Sequence, residues 1–206
     1  KFEMETAPDP TTDVGVPGAQ GYILEHVPEW IEKYGTNSAY FCTNDAHTEP
    51  LLKMLLEHGG YFIEADLPSP LMGYPGALGI DLSAEAGDFQ KILAKVEEAV
   101  VEQGGEGRFG TWAYSYGYTV SAGLAEHARN VILGNSELCD IDDISDAYGV
   151  FSPGAEWNGS NYTNVDTGVK ADNTFLIYQD TYIMGNPGHY MEATKVEVPE
   201  KYFTVK

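Results

Sequence analysis

The sequence predicts an α/β fold in which a parallel sheet is flanked by helices on both faces, followed by a C-terminal extended or hairpin segment. Three observations lead there. Ser38 to Thr43 is an unbroken apolar run of strand length, as expected of a strand buried on both faces. Tyr61 to Ala65 reads as a further strand, and the segment between them has helical periodicity. Strand, helix and strand in alternation call for right-handed crossovers and parallel pairing.

Element by element, Phe2 to Thr6 reads as extended and is closed by Pro8-Asp9-Pro10. Ile23, Val27, Trp30, Ile31 and Tyr34 then mark one face of a helix that Gly35 ends. Pro28 removes a backbone donor inside it and predicts a kink or two shorter helices. After the 38–43 strand, Thr48 is placed to cap a helix with Pro50 in its first turn. Leu51, Leu52, Leu55 and Leu56 form its buried face, and Gly59-Gly60 terminate it. Asp66 to Gly79, with three prolines, reads as an irregular loop or a crossing between lobes. A helix resumes from Ser83 with Phe89, Ile92, Leu93, Val96 and Val100 on one face. Arg108 to Tyr114 is a strand, and Thr119 to Leu133 a helix. Beyond Gly134 come an acidic stretch, a Gly/Asn/Ser-rich region and two extended runs, Thr174 to Met184 and Tyr190 to Val198, joined by a turn at Gly185-Asn186-Pro187-Gly188. The chain therefore divides into an α/β lobe over 1–134 and an acidic loop with returning strands over 135–206.

Composition bounds the function. The 206 residues carry 32 acidic and 11 basic side chains, a formal charge of -21, with 43% hydrophobic residues and 14 tyrosines. That much apolar material builds a core. The charge repels phosphate backbones, and no Lys/Arg cluster offers a local exception, so nucleic acid and anionic membrane surfaces are poor partners for this region. No basic-then-apolar leader and no apolar run of about 18 residues is present, so direct membrane insertion is not expected. The Lys1-Phe2-Glu3-Met4 start reads as a trimmed product, and the acidic, cysteine-poor, tyrosine-rich composition points to an extracytoplasmic bacterial protein. Cys42 and Cys139 form neither a disulfide framework nor a zinc site and read as small buried residues.

Two loops are candidate ligand sites. Asn44, Asp45 and His47 lie between a strand and a helix N-terminus, where the strand ends of an open parallel sheet hold ligands. The competing reading is that Asn44 and Asp45 cap the turn and His47 is solvated. Trp112, Tyr114 and Tyr116, with Tyr118, put four aromatics at the end of the 108–114 strand, suited to stacking on a flat or sugar-like ligand. Equally, two of the four would fill the core. Ser115 in Ala113-x-Ser115-x-Gly117 loosely copies a nucleophile elbow, with Asp166 or Asp180 and His189 in triad order, but the first glycine is replaced. Cys139 to Asp146 lacks the spacing of a calcium hand and reads as a solvated acidic loop. The five histidines show no ligand spacing, so neither a metal nor a cofactor is expected.

Phe41-Cys-Thr-Asn44-Asp45-Ala-His-Thr-Glu-Pro-Leu-Leu-Lys-Met-Leu-Leu-Glu-His-Gly59 resembles the strand-to-helix segment of type 1 periplasmic binding proteins, and Arg108 to Leu133 resembles a later segment of the same proteins. More narrowly, Thr6-Ala-Pro-Asp-Pro-Thr11, Gly18-Ala-Gln20, Glu49-Pro50-Leu51 and Gly73-Tyr-Pro-Gly-Ala-Leu-Gly-Ile80 look like a bacterial family of uncharacterised binding-protein-like chains, some described as lipoproteins or regulators. The resemblance implies one lobe of a two-lobed protein, incomplete at its N-terminus, with a small polar ligand held in the cleft by Asn44, Asp45, His47, Trp112, Tyr114 and Tyr116. It further implies a non-enzymatic solute-binding or ligand-sensing role, secreted or lipid-anchored, serving a membrane transporter or sensor. A serine hydrolase using Ser115 and the effector lobe of a transcriptional regulator are the alternatives.

Overall fold

A computed structural model describes residues 2–62 and 69–191. The chain opens with α1, Gly15–Tyr34, which runs as a single helix through Pro28 and buries Ala19, Ile23, Val27 and Ile31. Gly35, at φ 87°, donates its N–H to the Ile31 carbonyl and ends it, a conformation that glycine adopts without steric cost. β1, Ala39–Tyr40, is followed by α2, Thr48–His58, and β2, Tyr61–Phe62. Thr48 is the first residue of α2 rather than its cap. A short α3, Tyr74–Leu78, lies inside the proline-rich stretch expected to be irregular. α4, Phe89–Glu102, starts at Asp88, whose carboxylate accepts the Lys91 N–H and so satisfies one of the free donors of the first turn. β3, Gly110–Thr111, leads into α5, Tyr116–Ile132.

The remaining elements are α6, Ile141–Gly149, the hairpin of β4, Trp157–Thr163, with β5, Lys170–Gln179, and the short strands β6, Tyr182–Ile183, and β7, His189–Tyr190. β6 and β7 pair antiparallel across the predicted 185–188 turn. The later part of the 190–198 run lies outside the described residues. No described helix is long and apolar enough to cross a membrane.

The expected parallel sheet flanked by helices is not what forms. Among the described residues, parallel pairing is confined to the two residue pairs of β1 with β2 and a single bridge from Phe62 to Phe109. The other ladders, β3-β6-β7 and β4-β5, are antiparallel. The Ser38 to Thr43 run stops short because Phe41 is 61% exposed, so this segment is not covered on both faces. β3 takes its partner from the C-terminal segment, with Gly110 opposite Ile183 and Thr111 opposite Tyr182, and the Met184 N–H reaching the Phe109 carbonyl. The 135–206 segment thus pairs directly with the 1–134 segment.

The core gathers α1, α2, α3 and α4 around β2. Leu52, Leu55, Phe62, Tyr74, Val96, Val100 and Phe109 are all fully buried there. Tyr74 stands edge-on to Phe62 and donates its hydroxyl proton to the Gly110 carbonyl at 2.6 Å, tying α3 to the start of β3. A second, smaller layer joins α5 to α6. The acidic run expected to be a solvated loop is helical because Asp140 Oδ1 accepts the N–H groups of Asp142 and Asp143, and the two aspartates of the first turn complement the positive end of the helix dipole. Of the two cysteines expected to be buried, Cys42 is half-buried and Cys139 is exposed.

At the α5–α6 contact a β-carbon on Gly123 would lie 2.3 Å from Tyr148 Cδ1 and 3.0 Å from the Tyr148 backbone. Gly123→Ala should therefore lower stability by about 2 kcal/mol, because backbone cannot step aside as a flexible side chain could. A urea titration measures it, and an unchanged midpoint would mean the helices slide apart without cost.

Candidate ligand site at the start of α5

The 44–47 loop proves to be a clasp. Asn44 Oδ1 accepts the Ala46 N–H at 3.0 Å and caps a 3-10 turn over Asp45–His47. His47 is buried, its Nε2 donating to the Pro8 carbonyl at 3.1 Å, and Gln20 Nε2 donates to the Ala46 carbonyl from α1. Asp45 is exposed. The polar groups of this loop thus cap their own turn and hold the N-terminal segment. The structure adopts the capping alternative for Asn44, while His47 is not solvated.

The 112–116 segment is different. Beyond the last regular pair of β3 and β6, the ladder continues through a side chain, with Gln179 Oε1 accepting the Tyr114 N–H at 3.2 Å. Gln179 is fully buried, and this bond fixes its amide one residue before the Ser115 that precedes α5. Trp112 is buried and stacked on Tyr116, the first residue of α5, with ring centroids 4.3 Å apart. Trp157, at the head of β4, stands beyond Tyr116 at 6.3 Å and anchors its Nε1–H on Ser152 Oγ at 2.9 Å. Tyr114 is turned into the core instead, its hydroxyl donating to the Pro153 carbonyl at 2.7 Å and receiving a bond from Gln90 Nε2. Of the predicted aromatics, then, Trp112 and Tyr116 form one stack and Tyr114 is structural.

Buried polar atoms concentrate here. Among the described residues, Trp112 Nε1, Gln179 Nε2, Thr119 Oγ1 and Asp180 Oδ2 have no hydrogen-bond partner. Each such group costs about 1–3 kcal/mol when left unmade, so each calls for a partner beyond the described residues, ordered water or a ligand. Sequence reading missed Gln179, Thr119 and Trp157. No motif surrounds them, and only the three-dimensional register brings them to Trp112.

On β6, Tyr182 donates its hydroxyl proton to Glu97 Oε1 at 3.0 Å. Burial first, and then the bond to and charge of Glu97, push its pKa up to about 12. Burial raises that of Tyr190 as well, helped by the neighbouring tyrosines and by Glu156 and Asp180. A tyrosine whose folded pKa lies above its unfolded value contributes stability that is intact below the unfolded pKa and is lost as pH rises through the folded one. Stability should therefore fall between about pH 10, the unfolded tyrosine value, and pH 12. Tyr182→Phe should flatten that fall. Denaturant midpoints across this range check it, and identical profiles for both proteins would contradict it.

Ser115 precedes α5 without capping it, and its hydroxyl shares no hydrogen bond with His189, which is exposed on β7. Asp180 Oδ1 is engaged by the Thr181 N–H. The described residues hold no cluster of three or more metal-ligating side chains.

The family of proteins of unknown function DUF3798 matches residues 1–110, more than half of the chain. The chain belongs to the DUF3798 family. A second family, matched over 121–205, covers the segment from α5 onward. This DUF3798 chain is 39% identical over 100 residues to an uncharacterised protein of Treponema pallidum (strain Nichols), a match covering 48% of the chain and 44% of that relative. Another uncharacterised protein of the same organism is 26% identical over 87 residues, 42% of the chain and 96% of the relative. The chain thus spans less than half the length of the first of these. In structure it is similar to a candidate transcriptional regulator from Clostridium difficile 630, with a TM-score of 0.67 and 21% identity over 86% of the chain and 50% of that structure. The uncharacterised bacterial family to which the separated motifs pointed is borne out by these matches.

Proposed function

We propose that this DUF3798 chain is the effector portion of a transcriptional regulator, receiving a small molecule at the start of α5 and leaving DNA contact to residues elsewhere in the polypeptide that carries it. The observation that carries this reading is the shared fold with half of a candidate regulator. The formal charge of -21 fits a portion that stands away from phosphate. The cluster of unpartnered buried donors beside α5 supplies a receiving site. Solute capture for a transporter, drawn from the periplasmic-binding-protein resemblance, finds no support in the relatives, and the extracytoplasmic location goes with that alternative.

The test is capture of sheared host genomic DNA by the native polypeptide at physiological salt, beside the 206-residue chain alone. Retention of particular fragments by the native polypeptide, and of none by the isolated chain, is expected. Retention of nothing by either would overturn the regulator reading.

A further inference from the structure

We infer that the start of α5 is a carboxylate-binding site, with Trp112 Nε1 and Gln179 Nε2 as its buried donors. This deepens the effector reading by naming the ligand chemistry. The first turn of an α-helix leaves its N–H groups without intrahelical partners and concentrates positive potential there. In α5, a helix of 17 residues, Ser115 offers no side-chain cap and the first turn holds no acidic residue. α4 and α6, by contrast, close their first turns with Asp88 and Asp140.

The independent observation is the pair of orphaned donors. Gln179 is fully buried and Trp112 is 8% exposed, yet neither Nε2 nor Nε1 has a partner among the described residues. Both are tied to the helix start, Gln179 by its bond to the Tyr114 N–H and Trp112 by its stack on Tyr116. An indole N–H can only donate, and the amide oxygen of Gln179 is already engaged, so what both donors require is an acceptor. A ligand oxygen bearing charge makes the stronger bond and is the one favoured by the dipole. The neighbouring carboxylate, Asp180, spends one oxygen on the Thr181 N–H, and its charge bears on the Tyr190 hydroxyl. Tyr116 is half-buried and Gly117 and Tyr118 are exposed, so the helix start itself reaches solvent, while the two donor atoms are closed to it. The half-buried aromatic edge suits a carboxylate carried on a flat, apolar body.

Benzoate is the probe, with benzamide as its neutral counterpart of the same shape. The chain has three tryptophans, so its indole N–H resonances form a spectrum of three signals that reads Trp112 directly in the unmodified protein. Titrated benzoate should move the Trp112 signal and leave Trp30 in place, while benzamide should move neither. Trp112→Phe keeps the stack and removes the donor, and should weaken benzoate about tenfold, the worth of one charge-assisted hydrogen bond. Gln179→Glu keeps the acceptor for Tyr114 but replaces the free donor by an anion, and should abolish binding. An unmoved Trp112 signal, equal response to benzamide, or unchanged affinity in a folded Trp112→Phe protein would each overturn the site. Because this is measured on the chain itself, its failure is separate from a failure to retain DNA.

Discussion

Replacing Phe62 by alanine is expected to cost about 4 kcal/mol of folding stability, the range of large-to-small changes at fully enclosed aromatic sites. Phe62 is entirely buried where three things meet: the β1–β2 pair, the bridge to Phe109 and the edge-on contact with Tyr74. The surrounding helices bury Leu52, Leu55, Val96 and Val100 in the same cluster. Collapse around the missing ring would have to draw in all of these elements at once, so the void stays largely open. Urea unfolding should show a lower midpoint with an unchanged slope, since the surface exposed on unfolding is nearly the same. Phe62→Leu, which keeps most of the volume, should recover more than half of the loss. Equal midpoints for the alanine and leucine proteins would mean that Phe62 is not the junction described.

Arg108→Met should cost about 3 kcal/mol, less than three bonds from a charged donor at about 1.5–3 kcal/mol each would sum to, because water takes up part of what the guanidinium leaves. The guanidinium donates from Nη1 to the carbonyls of Leu55 and Gly60 at 3.0 and 2.7 Å, and from Nη2 to that of Gly104 at 3.1 Å. Those carbonyls belong to the end of α2, to the turn after it and to the turn after α4. One side chain thus ties two helix ends to the approach of β3. Methionine keeps the aliphatic stem and leaves the carbonyls to water. Lysine should rescue little, since a point ammonium cannot span three acceptors as the planar fork does. Urea unfolding of the two variants measures this, and a lysine protein as stable as the native one would contradict the fork.

These residues also mark how far the sequence could be read. The longer helices were legible, α3 and α6 were not: the spacing of Ile23, Val27 and Ile31 and of Leu51, Leu52 and Leu55 gave α1 and α2 their buried faces, and Gly35 and Gly59 ended them as expected. The sheet was not. A short apolar run such as Ser38 to Thr43 has the composition of a buried strand, but whether it is covered depends on neighbours far along the chain, and here Phe41 faces outward. β3 lies among segments expected to pair in parallel, yet its antiparallel partner comes from more than 70 residues later, a choice that no local pattern encodes. The acidic run misled for a related reason, since Asp140 was counted as charge when its decisive property is the acceptor it offers a helix start. At the candidate site, Trp112 and Tyr116 were visible as an aromatic cluster at a strand end. Gln179 and Thr119 were not, because a buried amide or hydroxyl becomes informative only when its missing partner is seen.

Whether a ligand received at the start of α5 governs a regulator is read from transcription of a captured genomic fragment. The fragment is placed before a reporter, in hosts that carry the native polypeptide or its Gln179→Glu form. Both forms should hold the fragment equally well in vitro, while only the native one should change reporter output when the host's small-molecule supply is varied. A Gln179→Glu protein that responds as the native one does would contradict it.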